Sequence, residues 1–376
     1  MGVKSGGKTL HSISGMTIND LAELLKGYAK QQGTNRPIVM VDCNNLLYIF
    51  SQAKNAVVEA VVNHLIKFAN HGIIVIPVVD GVRPMCKQAT NERIAEKEKK
   101  RIKAFQLRKD LRLLKQRLVN ERLDESMRSA LEEQIKSLER KFKTSETKSR
   151  ISLPEHFADD LENELEELGA HIPNDQYGYV EKVIVGQFQA DSYMAGSIVS
   201  RQAMMSMTTD TDIPIIAGDC CMSISGFTKN RYTITCVSAS TLKNAMSFLP
   251  GESKATFSPA EFPFFEGVMH HRLRALIMLI LGCDVYKCGM KGVGAKKLAD
   301  FMEKIRLSGV TNDEGRYIRL FDKFKKTNNL TDEVIDTYID ALLYEPTNPM
   351  VVADDKHGRT KCTYLFGTKI SRRVFD

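Results

Sequence analysis

Residues 37–50 read PIVMVDCNNLLYIF, and their reading decides the fold. A β-branched apolar run stops at Asp42, and a helix carrying Tyr48 follows it, so a buried strand feeds directly into a helix. The pattern then repeats: 57–69 predicts a helix and 73–79 a strand that stops at Asp80. Two strands joined by helix, each closed by a carboxylate, predict an α/β fold with a mostly parallel sheet. In such a fold functional groups collect at the carboxyl edge of the strands. One such Asp alone would read as a helix N-cap; the pair asks for more.

Working outward, 17–30 has helical spacing through Ile18, Leu21, Leu24, Leu25 and Tyr28 and is expected to pack on the sheet. Ahead of it, 2–9 (GVKSGGKT) matches the P-loop pattern, but no strand precedes it to aim the loop, so a flexible basic N-terminus is the reading. After Asp80 the chain turns at Gly81 and Pro84 into a long, strongly basic helical segment, 87–148. Leu107, Leu111, Leu114 and Leu118 make one apolar stripe, and Met127, Leu131, Ile135 and Leu138 another. With Asp124 as N-cap between them, the segment reads as a helical hairpin or one bent arm. A solvated helix face explains the same charges without a ligand.

An acidic helix at 154–168 comes next, followed by a short strand at 183–185 and a helix beginning near Gln189 and Asp191. Residues 213–217 (IPIIA) read as a fourth buried strand with Asp219 just past its end, and 208–212 (TTDTD) as the loop before it. The polar stretch 230–240 is strand-like, and 249–265 is a linker. Then 279–301 reads LILGCDVYKCGMKGVGAKKLADF: a buried helix, Asp284 where it surfaces, a turn with Gly292, Val293 and Gly294, and a helix with Lys296 and Lys297. Bare N–H groups before a basic helix suit a phosphodiester backbone, although a helix C-cap and an ordinary loop fit too.

The 376-residue chain, with 53 Lys+Arg against 46 Asp+Glu, has only a modest basic excess, so the local crowding of charge in the arm matters more than the total. Its 8 cysteines include no C-x-x-C pair, which argues against a zinc ribbon and for reduced thiols in an intracellular setting. The N-terminus lacks the apolar core of a secretory signal and the Ser or Thr of a myristoylation site, and no apolar run is long enough to span a membrane.

Asp42, Asp80, Asp191, Asp219 and Asp284 each fall near the end of a predicted strand or buried helix, or at the start of the next helix. Carboxylates gathered in this way repel, and hard divalent cations such as Mg²⁺ or Mn²⁺ hold them ionised. Phosphodiester hydrolysis is the reaction that such paired ions serve.

At this point the chain resembles the flap endonucleases, the XPG-like structure-specific nucleases. The resemblance rests on MVDCNNLLY, PVVDGVRPMCK, QADSYMA, IIAGDCCMSISG and, most specifically, LGCDVYKCGMKGVGAKKLADF. It implies a PIN-like (resolvase-like) fold with an inserted helical arm and a C-terminal helix-two-turn-helix subdomain. The implied division is 1–86 and 151–265 as nuclease halves, 87–150 as arm, 266–350 as the duplex-binding subdomain and 351–376 as tail. It implies a metal-dependent nuclease acting on DNA flaps or 5′ ends in replication, repair or recombination. Two divalent ions would serve, with a monovalent cation at the helix-two-turn-helix.

By the same resemblance Asp42, Asp80 and Asp284 match metal ligands, Lys87 the catalytic lysine, and Arg93 a nearby arginine displaced by one position from Ile94. Gly2 matches the functional N-terminus, and Tyr48 the aromatic that stacks on a base. Gly292, Val293, Gly294, Lys296 and Lys297 match the hairpin and helix on the duplex backbone, and Lys99, Lys100 and Arg101 belong to the gateway for a single strand. DNA is thus the implied partner, with RNA and a sliding clamp left open; the terminal KISRRVFD is a poor clamp-binding match. A monomer working in the nucleus or at a site of DNA replication is expected.

Two departures stand out. The family's acidic triplet reads Gln189, Ala190, Asp191, and its D-x-D reads Asp219, Cys220, Cys221, so an amide and a thiol replace two acids. Cys221 is a poor ligand for Mg²⁺. A second register, with D-x-D at Asp210 and Asp212, restores both acids but sets them ahead of the predicted strand. The departures also motivate a different class of function: a degenerate member that binds branched nucleic acid or a protein without efficient cleavage.

Overall fold

In a computed structural model of the chain, residues 1–87 and 156–376 form one unit and residues 88–155 a second. The structure describes every residue except 1–2, 4–5, 35–36, 51–56, 82–87, 121–123, 151–155, 173–177, 187–189, 229–230, 344–352, 355–359 and 362–376. It gives backbone alone at 88–98, 101, 119–120, 145–150, 192, 220, 227–228, 341, 353–354 and 360–361.

The first unit opens with one helical turn, α1 (Gly6–Thr9), and a strand that the sequence did not announce, β1 (His11–Met16). Of the expected flexible basic start, residues 2, 4 and 5 lie outside the described residues, while Val3 and 6–9 are ordered. Val3 is 5% exposed, and its amide donates to Thr211 Oγ1 at 3.1 Å and Asp212 Oδ1 at 2.9 Å. Next comes α2 (Ile18–Gln31), started by a capping box between Thr17 and Asp20. Then β2 (Ile38–Asp42), α3 (Cys43–Phe50), α4 (Val57–Ala69) and β3 (Ile74–Val79) form the expected strand–helix–strand unit. The two strands are parallel, and Asp42 stands opposite Val78.

The second unit is a helical hairpin of α5 (Gln88–Asn120) and α6 (Glu125–Arg150). Asp124 caps α6 by accepting the Met127 amide at 2.8 Å. Leu111, Leu131 and Ile135 are buried between the helices, backed by Leu114, Leu118, Leu138 and Phe142. Met127, expected in the stripe, is 60% exposed. It lies in the first turn of α6, short of the packed seam.

The first unit resumes with α7 (Phe157–Glu167), β4 (Ile184–Val185), α8 (Ala190–Val199) and β5 (Met205–Met207). The fourth buried strand is thus MSM, not IPIIA. Residues 213–217 belong to a helix, α9 (Asp212–Ala217), in whose first turn Pro214 sits where a missing N–H breaks no intrahelical bond. A 3-10 turn (Gly218–Cys220) leads to β6 (Met222–Thr228), β7 (Arg231–Cys236), α10 (Ala239–Met246) and β8 (Thr256–Ser258). The sheet order is β4-β3-β2-β5-β6-β7-β1-β8. Neighbours from β4 to β6 are parallel, whereas β7, β1 and β8 add antiparallel. The sheet is therefore mixed, and the parallel character read from the sequence belongs to its first five strands.

Four helices complete the unit: α11 (His271–Leu281), α12 (Ala295–Leu307), α13 (Asp313–Asn328) and α14 (Asp332–Leu343). Their buried side chains join those of α8 and α9 in one apolar cluster. From Arg272 to Leu281, α11 is buried throughout. Its two arginines are partnered internally: Arg272 by Asp336 at 2.5 Å and Asp340 at 3.5 Å, Arg274 by the carbonyls of Val268 and Ile216. Two short strands, β9 (Ala353–Asp354) and β10 (Thr360–Lys361), pair antiparallel. Among the described residues no helix is long and apolar enough to cross a membrane.

Among the described residues Leu111, Leu131 and Ile135 make the buried seam of the hairpin, a small core for two long helices. Replacing Ile135 by Ala is expected to cost it about 2 kcal/mol or more. Limited proteolysis should then cut within 88–155 sooner than in the wild type, with thermal unfolding of the first unit unmoved; equal cutting rates would refute the account of the seam.

Candidate functional site

Parallel strands present side chains at their carboxyl ends, and a crevice opens where the winding of the sheet reverses. β2, β3 and β4 wind in one direction and β5 returns to the other flank of β2, so the reversal lies between β2 and β5. Asp42 ends β2, Asp80 follows β3, and residues 208–210 leave β5. Asp42 is 7% exposed. Burial first, then the charge of Asp80 and more weakly that of Asp210, push its carboxyl up from 3.8 to about 7, against hydrogen bonds from Asn45 and Thr208 that favour ionisation.

Hydrogen bonds knit this edge together. The Asn45 amide donates to Asp42 Oδ1 at 2.9 Å and the Thr208 hydroxyl to Oδ2 at 3.1 Å. Thr208 Oγ1 in turn accepts the Asp210 amide at 3.1 Å. Asp80 Oδ1 accepts the amide of Ala190 at 2.9 Å, so the start of α8 faces that carboxylate. Asp191, the next residue, is half-buried.

Asp212 and Asp284, both buried, continue the acidic face. Burial and then the Asp212 charge, with a further contribution from Asp284, push the Cys283 thiol up to about 12. Asp212 also takes the Val3 amide, which brings the beginning of the chain to this edge.

Asp219 and Cys221 go elsewhere. β5 and β6 are parallel, with Met205 opposite Met222, so residues 219–221 lead into β6 at the amino edge while 208–210 leave β5 at the carboxyl edge. Burial raises the Asp219 carboxyl, and Arg274 offsets part of the rise. Cys221 is fully buried, its thiol directed to the Met222 carbonyl at 3.7 Å. The register that used these two residues depended on reading 213–217 as a strand. With β5 at Met205–Met207 the TTDTD turn follows the strand, and Asp210 and Asp212 take the positions at the acidic edge.

The glycine turn after α11 is held from a helix distant in sequence. Gly289 and Gly292 have φ of +65° and +71°, and a Cβ on Gly289 would meet the Ile280 carbonyl oxygen at 2.8 Å. Asn328, at the end of α13, donates to the Gly289 carbonyl at 2.7 Å and to Tyr286 Oη at 2.8 Å, and accepts the Lys291 amide at 3.2 Å. Gly294 caps α12. Val293 packs on the core, Lys297 Nζ donates to the Gly292 carbonyl at 2.9 Å, and Lys296 is exposed.

Tyr48, on α3, is 41% exposed. Lys99 is exposed and Lys100 half-exposed on α5, where Arg93 and Arg101 are described by backbone alone; Gly2, Lys87 and Gln189 lie outside the described residues. Asn45, Thr208, Thr209 and Asn328 escaped sequence reasoning, because a single amide or hydroxyl carries no periodic signal. Asp210 and Asp212 did carry one, the spacing D-x-D.

All the donors at the acidic edge are oxygens, which fits a hard divalent cation, and a carboxyl pushed up by burial and by like-charged neighbours is the state such a cation relieves. Among the described residues no three His, Cys, Asp or Glu side chains stand close enough to hold a metal ion between them. The acids share an edge without closing on one point.

No protein-family model and no curated protein matches the sequence. Among solved structures the chain is similar to the catalytic core of Rad2 in complex with DNA substrate, at 15% identity and a TM-score of 0.47 over 91% of this chain and 86% of that one. It is also similar to flap endonuclease-1 from Methanococcus jannaschii, at 14% identity and 0.43 over 88% and 81%. For human GEN1 in complex with Holliday junction DNA the values are 12% and 0.38 over 80% and 60%.

The raised Asp42 carboxyl sets a pH dependence. Between about 4 and 7 the folded state holds a proton at Asp42 that the unfolded state has lost, so this residue's contribution makes stability fall as pH rises through that window. The full effect is at most roughly 4 kcal/mol. In EDTA, Asp42→Asn is expected to be more stable than the wild type to urea at pH 8, with the gap closing toward pH 4. Parallel profiles for the two proteins would contradict the assignment.

Proposed function

We propose that the chain is a metal-dependent, structure-specific nuclease, a divergent relative of the flap endonucleases, hydrolysing phosphodiester bonds of DNA at flaps or 5′ ends. What supports this most is the arrival of Asp42, Asp80, Asp210 and Asp212 at one edge of the sheet, beside its winding reversal. With Asp210 and Asp212 as the D-x-D pair, Gln189 is the one amide left in place of an acid.

Asp42, Asp80 and Asp210, with Asp191, Asp212 and Asp284 beside them, would hold Mg²⁺ or Mn²⁺, which supplies a Lewis acid and a more acidic bound water. The chain's own groups orient the scissile phosphate against those acids. Lys87 offsets its negative charge in the transition state. Tyr48 offers an exposed ring to a base at the junction. The Gly292 turn and Lys296 take the duplex backbone through amides and charge, and the basic face of α5 takes a single strand.

A second reading, binding of branched nucleic acid without efficient cleavage, draws on Gln189 and on the acids that do not close on one centre. A labelled 5′-flap duplex in Mg²⁺ or Mn²⁺ separates the two. The wild type is expected to cut, Asp80→Ala and Asp210→Asn to lose about 100-fold or more, and Cys221→Ala to keep its rate. Retained binding with no metal-dependent product favours the second reading. Equal damage from Cys221→Ala and Asp210→Asn would restore the register at Asp219. For the arm, replacing Lys99 and Lys100 by Ala should lower the slope of log affinity against log salt by about 1 to 2; an unchanged slope rules out phosphate contacts there.

A further inference from the structure

We infer that Asn45 and Thr209 are positioning residues, a clamp that holds the turn after β5 against the first turn of α3 so that Asp42 and Asp210 keep a fixed relation across the crevice. The inference rests on the nuclease reading of the acidic edge.

Three hydrogen bonds join two residues 164 apart in sequence. Asn45 Nδ2 donates to Thr209 Oγ1 at 2.8 Å, and Asn45 Oδ1 accepts the Thr209 amide at 3.1 Å and the Thr209 hydroxyl at 3.0 Å. An amide side chain can serve in this way because it both donates and accepts. The backbone of the same Asn45 donates to Asp42 Oδ1, and the residue before Thr209 donates its hydroxyl to Asp42 Oδ2 while accepting the Asp210 amide. Each end of the clamp is therefore one hydrogen bond from a carboxylate.

A clamp is needed because the sheet offers little support here. β5 has three residues, paired with Val39, Met40 and Val41 of β2, and its ladder to β6 extends to the Thr208 amide on the Ile224 carbonyl. Beyond that point the hydrogen bonds of Asn45, Thr208 and Thr209 hold the turn. Both side chains are spent on each other, so their effect is to hold the donors in register, as partners beyond the ligands commonly do.

The test uses the full chain without nucleic acid. Mn²⁺ binding is followed by the electron paramagnetic resonance of free Mn²⁺, at a temperature where circular dichroism shows each variant folded. Asn45→Ala and Thr209→Val are expected to weaken Mn²⁺ binding about 10-fold each. Thr209→Ser, which keeps the hydroxyl, should stay within about twofold of the wild type. The double variant should bind no more weakly than Asn45→Ala alone, because the two side chains act as one unit. If Asn45→Ala does not fold, the Thr209→Val and Thr209→Ser pair decides. Folded variants that bind Mn²⁺ as the wild type does overturn the clamp and leave the nuclease reading standing. Equal losses in Thr209→Val and Thr209→Ser also overturn it, because the hydroxyl would then be irrelevant. A wild type that binds no Mn²⁺ overturns both.

Discussion

Mutual repulsion of carboxylates at the carboxyl edge of the sheet is the constraint to which the rest of the first unit answers. Asp42 is buried beside Asp80 and Asp210, and its carboxyl titrates near neutrality as a result. A fold can tolerate such a cluster only if its surroundings are well determined, because one misplaced turn would let the charges separate and the crevice open. The parallel ladder from β3 to β6 supplies part of that determination. Asn45, Thr208 and the start of α8 supply local hydrogen bonds. At Asp42 the hydrogen bonds of Asn45 and Thr208 favour the ionised form and so work against the burial that disfavours it.

The core reaches this edge through α11. At about 1.5 Å per residue its eleven residues cover roughly 16 Å, and it is buried from Arg272 onward. Near its beginning Arg274 grips carbonyls of Ile216 and Val268, and at its far end Asp284 joins Asp212 in acting on Cys283. One apolar rod thus ties the amino-edge turn around Asp219 to the acidic face. Arg272 locks the rod to α14 through Asp336 and Asp340. Any shift of α11 along its axis would have to break a buried, charge-assisted pair, which is costly when only one partner moves.

Much of this was legible in the sequence, for physical reasons that also explain the failures. IVMVD and IVIPVV are β-branched runs ended by carboxylates, and the arm has two apolar stripes with a capping Asp between them; each is a strong periodic signal. IPIIA is apolar but too short to have a period, and MSM offers neither β-branching nor alternation, so helix and strand exchanged places. Proline did not arbitrate. Pro77 lies inside a true strand, between the bridge of Val75 to Val180 and the pairing of Val78 with Ile184, a gap in which a missing N–H does little harm. Pro214 lies in the first turn of a helix, which tolerates it equally well. That one exchange set the D-x-D of the resemblance at Asp219, by the amino edge of the sheet, while Asp210 lies by the carboxyl edge. β1 went unseen because HSISGM is polar, and its strand conformation follows from β7 and β8 on either side.

Charge pairing separates the acids that hold the fold from those at the crevice. Asp336 and Asp340 face Arg272, Asp219 faces Arg274, and Glu266 faces His11, so each has a basic partner within the chain. Among the described residues the groups acting on Asp42 are two other carboxylates and the hydrogen bonds of Asn45 and Thr208. Asp219 belongs with the acids that face an arginine, a distinction that residue type and spacing do not reveal and that the position of Arg274 does.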